Sequence, residues 1–114
     1  MTEMTETEFL ALTDDILNKI EDQAESWFED LDIDIDTNRS GSVLTLVFNQ
    51  KNEMVINSQA PFREIWVASP LGAHHYKQAD NGQWLDTRED DINLAERLST
   101  VCSHFAGRDL KVAI

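Results

Sequence analysis

The sequence predicts an α+β fold, a two-layer sandwich with two helices on one face of an antiparallel sheet of five or six strands. Three observations predict it. Apolar residues recur at steps of three and four near each end of the chain. Between those stretches the period drops to about two over several short segments. The connections between the segments are of hairpin length, so neighbouring strands run antiparallel. Two one-sided helices must bury their stripes, and the sheet is the only large apolar surface available.

The first helix is expected over residues 6–28. Phe9, Leu12, Ile16, Ile20, Ala24 and Trp27 form its apolar stripe, and Thr5 with Glu8 has capping-box spacing. Asp14, Asp15, Glu21, Asp22, Glu25 and Glu29 project to the opposite side. In Leu31-Asp-Ile33-Asp-Ile35-Asp36 apolar residues alternate with carboxylates, which predicts a half-buried strand with Asp32, Asp34 and Asp36 outward. A polar turn is expected over 37–42, then strands over 43–48, 53–57 and 64–69, with short strands over 74–77 and 83–86 around Asp80-Asn-Gly82. A second helix is expected over about 89–106. Thr87 is its candidate N-cap, Leu94, Ala95, Leu98, Val101, Cys102 and Phe105 its stripe, and Gly107 its C-cap. An extended tail, Leu110 to Ile114, follows.

Composition narrows the function. The 114 residues suit one domain, 1–114, and carry a formal net charge of −13. Thirteen of the 22 acidic residues lie within 1–36, where Lys19 is the only base. That balance excludes nonspecific nucleic-acid binding and disfavours anionic membranes, since both need clustered Lys and Arg. One cysteine excludes a disulfide framework and a zinc ribbon and fits a reducing compartment. No run approaches a membrane span and the N-terminus has no apolar signal core, so the expected location is the cytoplasm.

The acidic ridge is the strongest candidate site. Outward carboxylates on successive helix turns and on alternate strand residues lie about 5–7 Å apart. Such spacing suits hard cations held weakly by exposed oxygen ligands, not a closed cage. Glu21, Asp22, Glu25, Glu29, Asp32, Asp34 and Asp36 are the candidate ligands. Asp32-x-Asp34-x-Asp36 also opens like an EF-hand loop, but Thr37 replaces the required Gly and Val43 the closing Glu. A second candidate is Trp66. If Ile65 and Val67 face the helices, Trp66 stands on the uncovered sheet face as an interface anchor. Asn57-Ser-Gln59-Ala-Pro61 reads as a turn projecting polar groups onto that face. His74 and His75 are adjacent on a strand and point to opposite faces, so they cannot pair as ligands by themselves. Cys102 is expected to be an inert buried thiol. No nucleophile elbow, phosphate loop or carboxylate in an apolar setting supports catalysis, so the chain is not expected to be an enzyme.

These residues carry a resemblance. Glu8-Phe9, Trp27, Asp32-Ile-Asp34, Val43-Leu-Thr-Leu and above all Asn57-Ser-Gln-Ala-Pro61 with Ile65-Trp66-Val-Ala68 resemble the bacterial frataxin homologues, the CyaY family. The likeness covers nearly the whole chain. It implies a helix–sheet–helix sandwich. It also implies weak Fe²⁺ and Fe³⁺ binding by Glu21, Asp22, Glu25, Asp32, Asp34 and Asp36, with other hard cations competing. It implies a role in iron–sulfur cluster assembly by docking on cysteine desulfurase. The resemblance therefore implies a regulator whose ridge meets a basic patch on that enzyme. Asn57, Gln59 and Trp66 resemble the family's second contact surface, and the resemblance implies an iron–sulfur scaffold protein as the further partner. A monomer is expected, with oligomers under iron load left open. The competing reading is a purely electrostatic acidic module of the nucleic-acid-mimic type, with no metal role.

Overall fold

The computed structural model describes residues 4–114. Helix α1 spans Glu6–Leu31. It starts at a capping box. The Thr5 hydroxyl accepts from the Glu8 amide and the Glu8 carboxylate accepts from the Thr5 amide, each at 3.1 Å. Those bonds to Thr5 hold the Glu8 carboxyl below its usual range. The buried stripe is Phe9, Thr13, Ile16, Leu17, Ile20, Ala24 and Trp27. Leu12, expected in that stripe, is 42% exposed. It sits about 90° round the helix from the middle of the stripe, where Thr13 and Leu17 are closer to the sheet. The Thr13 hydroxyl avoids an unmet polar cost by donating to the Phe9 carbonyl at 3.0 Å.

The helix outruns its expected end, and the strand predicted to begin at Leu31 begins later. Leu31 is the last helical residue, and Asp32 is the C-cap in the left-handed region at φ 58°. Asp tolerates that conformation better than most side chains. Ile33 and Ile35 are buried while Asp32, Asp34 and Asp36 are exposed, so the alternation holds although only Ile35 and Asp36 are in the strand.

The sheet has six antiparallel strands in chain order: β1 (Ile35–Ser40), β2 (Val43–Phe48), β3 (Asn52–Gln59), β4 (Glu64–Ser69), β5 (Gly72–Gln78) and β6 (Trp84–Asp86). Two expectations change here. Residues 37–40 belong to β1, which confines the turn to 41–42. Asn57, Ser58 and Gln59 are in β3, not in a turn, because they continue its ladder onto Trp66, Ile65 and Glu64. The chain turns only at the 3-10 segment Ala60–Phe62, with Arg63 in the left-handed region at φ 53°. Leu44, Leu46, Phe48, Met54, Ile56, Ile65, Val67 and Tyr76 point to the helix-covered face and are buried.

Helix α2 spans Leu94–Ala106 and is shorter than expected. Its N-cap is Asn93, in a second capping box with Glu96. Thr87 to Ile92 are not helical, because Asp86 captures the Arg88 and Glu89 amides in a local turn. Gly107 closes the helix at φ 71°, a conformation that favours glycine. The tail then runs along the helices. Leu110 and Val112 are buried, Ser99 and Ser103 bind its backbone, and Gln23 exchanges two hydrogen bonds with Ala113 at 2.6 and 2.9 Å. Cys102 is fully buried, and burial pushes its thiol up to about 12.

Candidate functional site

The acidic ridge runs along the C-terminal half of α1 and across to β1. Asp22, Glu25, Glu29, Asp32, Asp34 and Asp36 are exposed, and Glu21 is half-buried. Glu25, Phe28 and Glu29 of α1 meet Ile35, Asp36 and Thr37 of β1 around a shallow notch of about 240 Å³. Phe28 is 55% exposed there, an apolar ring among carboxylates. The sequence suggested almost no compensating base, yet β1 supplies one. Arg39 donates to Asp14 at 2.5 Å and to Asn18 at 2.6 Å, and lies 3.7 Å from Glu21. It is 25 positions from Asp14 and becomes a neighbour only when β1 folds against α1. Lys19 pairs with Asp15 at 3.1 Å. The base pairs therefore fall on Asp14, Asp15 and Glu21, and Asp22, Glu25, Glu29, Asp32, Asp34 and Asp36 have no ion-pair partner among the described residues. Free carboxylates facing water can exchange their hydration for hard cations or for Arg and Lys of another protein.

The uncovered sheet face carries the second cluster. Register places Asn57, Trp66 and His75 in one row across β3, β4 and β5. Ile65 and Val67 are buried under the helices and Trp66 points away from them, as the alternation predicts. Trp66 is half-buried in a stack. The His75 ring lies 4.1 Å from it at 5°, and Phe62 lies 5.7 Å away on the 3-10 turn. The indole N–H donates to Glu64 at 2.9 Å, and His75 Nδ1 is 3.5 Å from the same carboxylate oxygen. Gln59 donates to Asn57 at 2.8 Å beside the row. Phe62 is 55% exposed, so the stack offers a rigid apolar surface with a polar rim.

A third cluster was not anticipated. His74 lies on the helix-covered face, opposite to His75, near the start of β5. Its Nδ1 is 3.1 Å from Asp86 and 3.9 Å from Glu89. Arg97 of α2 reaches Asp86 at 3.2 Å, Glu89 at 3.1 Å and the Tyr76 hydroxyl at 2.8 Å. Burial opposes the Asp86 charge, but the Arg88 and Glu89 amides, Arg97 and His74 together hold its carboxyl below the usual range. Burial pushes the Tyr76 phenol up to about 12. Among the described residues this is the only group of three or more His, Cys, Asp or Glu side chains whose ligand atoms lie within 4.8 Å of one another. The ridge carboxylates form no such group. The sequence offered one weak signal, Asp86-x-x-Glu89, and nothing that tied it to His74.

Comparison with known proteins decides the family. A frataxin-like domain model matches residues 2–108. This chain belongs to the frataxin family. Its bacterial relatives align over almost its full length. The iron-sulfur cluster assembly protein CyaY of Bordetella petrii is 50% identical over 111 residues, covering 97% of this chain and 100% of that protein. The CyaY of Ralstonia pickettii is 41% identical over 113 residues, covering 99% and 98%. Among solved structures, frataxin from Psychromonas ingrahamii superposes with a TM-score of 0.81 at 30% identity, covering 97% of this chain and 100% of that one. Trimeric frataxin from Saccharomyces cerevisiae, complexed with ferrous iron, gives 0.72 at 27% identity, covering 95% and 91%. Two surfaces of this chain stand open, the acidic ridge beside β1 and the Trp66 stack on the bare sheet face. No described helix is long and apolar enough to cross a membrane.

Proposed function

We propose that this frataxin-family chain is an iron-binding adaptor of iron–sulfur cluster assembly that docks on cysteine desulfurase and regulates it, without being an enzyme itself. The observation that carries the reading is the band of carboxylates without an ion-pair partner from Asp22 to Asp36. Its field attracts a basic patch on the partner and is screened by salt over about 8–10 Å. Phe28, rimmed by Glu25, Glu29 and Asp36, gives an arginine side chain both a ring to stack on and carboxylates to reach. Trp66 with Asn57 and Gln59 then packs on a second component, the scaffold protein. Fe²⁺ or Fe³⁺ on Glu21, Asp22, Glu25, Glu29, Asp32, Asp34 and Asp36 is bound weakly, competes with other hard cations and lowers the ridge charge. Iron occupancy so tunes the docking. The cytoplasm is the compartment this role requires. The names of the CyaY relatives and the ferrous complex of the yeast structure support the reading.

One observation favours the metal-free alternative. Three ridge carboxylates never converge as ligands, so the ridge could act by charge alone. Cluster formation by desulfurase and scaffold separates the two. With this chain added, the adaptor reading expects a rate change that depends on Fe²⁺ and disappears in a Glu25→Lys/Glu29→Lys variant. A rate change independent of Fe²⁺ concentration leaves the electrostatic module. No rate change at low salt removes the desulfurase from the account.

A further inference from the structure

We propose that His74, Asp86 and Glu89 form a second divalent-cation site, suited to a first-row transition metal and separate from the acidic ridge. The ridge borders β1, whereas these residues stand at β5, at β6 and in the turn that follows β6. β1 and β6 are the two opposite edges of the sheet. The proposal does not rest on the docking role of the ridge.

Donor type and spacing carry the argument. One imidazole nitrogen and two carboxylate oxygens lie within 4.8 Å of one another, with Nδ1 of His74 3.1 Å from Asp86 Oδ2 and 3.9 Å from Glu89 Oε1. Bonds of about 2.0–2.2 Å put neighbouring ligand atoms about 3 Å apart, so small side-chain shifts bring all three onto one ion. Asp86 is already aimed. Its Oδ1 is fixed by the amides of Arg88 and Glu89 at 2.8 and 3.0 Å, which leaves Oδ2 between His74 and Arg97. Arg97 Nη2 donates to the same two oxygens, Asp86 Oδ2 and Glu89 Oε1, while its Nε donates to the Tyr76 hydroxyl, so an ion entering the site displaces or shares the Arg97 bonds. The Arg88 and Glu89 amides act as the outer partners that commonly orient a ligating carboxylate.

Access and charge agree. A cavity of about 290 Å³ opens on His74, Asp86 and Glu89, bounded also by Ala73, Thr87 and Arg88, and has room for the waters that complete a coordination shell. The two carboxylates outnumber Arg97, the one arginine bonded to their ligand oxygens, and Arg97 with the nearby Arg88 keeps the affinity below that of a closed four-ligand site. An imidazole with two carboxylates selects Mn²⁺, Fe²⁺, Co²⁺ or Zn²⁺ over Mg²⁺ and Ca²⁺. Without a metal the same groups strap β6 to α2. The experiment must therefore read the metal and not the strap.

Co²⁺ titration of the full chain, followed through the ring nitrogens of His74 by NMR and through visible absorption, is that experiment. The expected result is broadening of the His74 signals at less than one equivalent of Co²⁺, unaltered in a Glu25→Gln/Glu29→Gln ridge variant. Affinity at this site should fall about tenfold or more in both His74→Gln and Glu89→Gln. Glu89 is exposed, so Glu89→Gln keeps the fold if His74→Gln loosens the strap. Zn²⁺ should displace Co²⁺, and excess Mg²⁺ should not. Broadening confined to ridge residues overturns the proposal. So does broadening at His74 with the same affinity in Glu89→Gln, which would mean that the ion visits one imidazole rather than a three-ligand site.

Discussion

Replacing Trp66 by Ala separates a surface anchor from a core residue. In the core, Trp84 meets Phe9 edge to face at 6.0 Å and is 6% exposed. Truncating such a residue costs about 3–5 kcal/mol. Trp66 loses less. Its ring is half-buried on the uncovered face, its hydrogen bond goes to Glu64 near the surface, and its main contacts are His75 and Phe62. Each aromatic contact contributes about 0.5–1.5 kcal/mol beyond the area it buries, so the stack alone contributes about 1–3 kcal/mol to the cost of Trp66→Ala. For a domain of this size that stacking loss is a fall in Tm of about 4–12 °C, with the transition still cooperative. Binding to the assembly partner should fall more steeply, by about 2 kcal/mol or about thirtyfold, as for a buried aromatic anchor. Thermal melts of Trp66→Ala and Trp84→Ala, run beside binding measurements, test both halves. A melt for Trp66→Ala as damaged as that of Trp84→Ala would make Trp66 a core residue. Full partner affinity in a folded Trp66→Ala variant would remove the stack from the interface.

Three further outcomes follow from the same geometry. Glu25→Lys/Glu29→Lys should raise Tm by about 2–5 °C at low salt, because it replaces repulsion along α1 with attraction, and the gain should vanish at high salt; calorimetry across salt checks both. Asp86 has a folded-state pKa below its unfolded value, so its contribution to stability is complete above the ordinary carboxyl range and is lost as pH falls through the depressed value. In metal-free buffer the Tm gap between the parent and Asp86→Asn should therefore be full near neutral pH and shrink below about pH 4, whereas a gap independent of pH would assign the loss to packing. Leu110→Ala should cost about 2–4 kcal/mol in urea unfolding, because its side chain is buried in the tail that Ser103 and Gln23 tie to the helices; a cost near zero would mean that the tail does not pack in solution.

The sequence was most legible where one physical rule acted alone. Period and capping residues located α1 at its start, β2, β4 and the Gly107 cap. The alternation through Ile65 and Val67 set the Trp66 face. Legibility failed where rules competed. Asn57 to Gln59 are polar and precede Pro61, which favours a turn, but pairing with β4 keeps them in a strand. Thr87 has the chemistry of an N-cap, but Asp86 takes the amides that a helix there would have offered. The exposed carboxylates of the ridge were countable from sequence. Arg39 as their partial counter-charge was not, since it comes from β1. The His74 cluster gathers β5, β6, a turn and α2, and no local pattern announces it.

In the proposed function the free carboxylates of the ridge dock this chain on a basic desulfurase surface. Affinity for purified cysteine desulfurase, measured from about 50 to about 500 mM salt with and without Fe²⁺, tests it most directly. The expected binding weakens steadily with salt, is lost when Glu21, Asp22 and Glu25 become Lys, and shifts when Fe²⁺ occupies the ridge. Binding that ignores both salt and those three substitutions would contradict it.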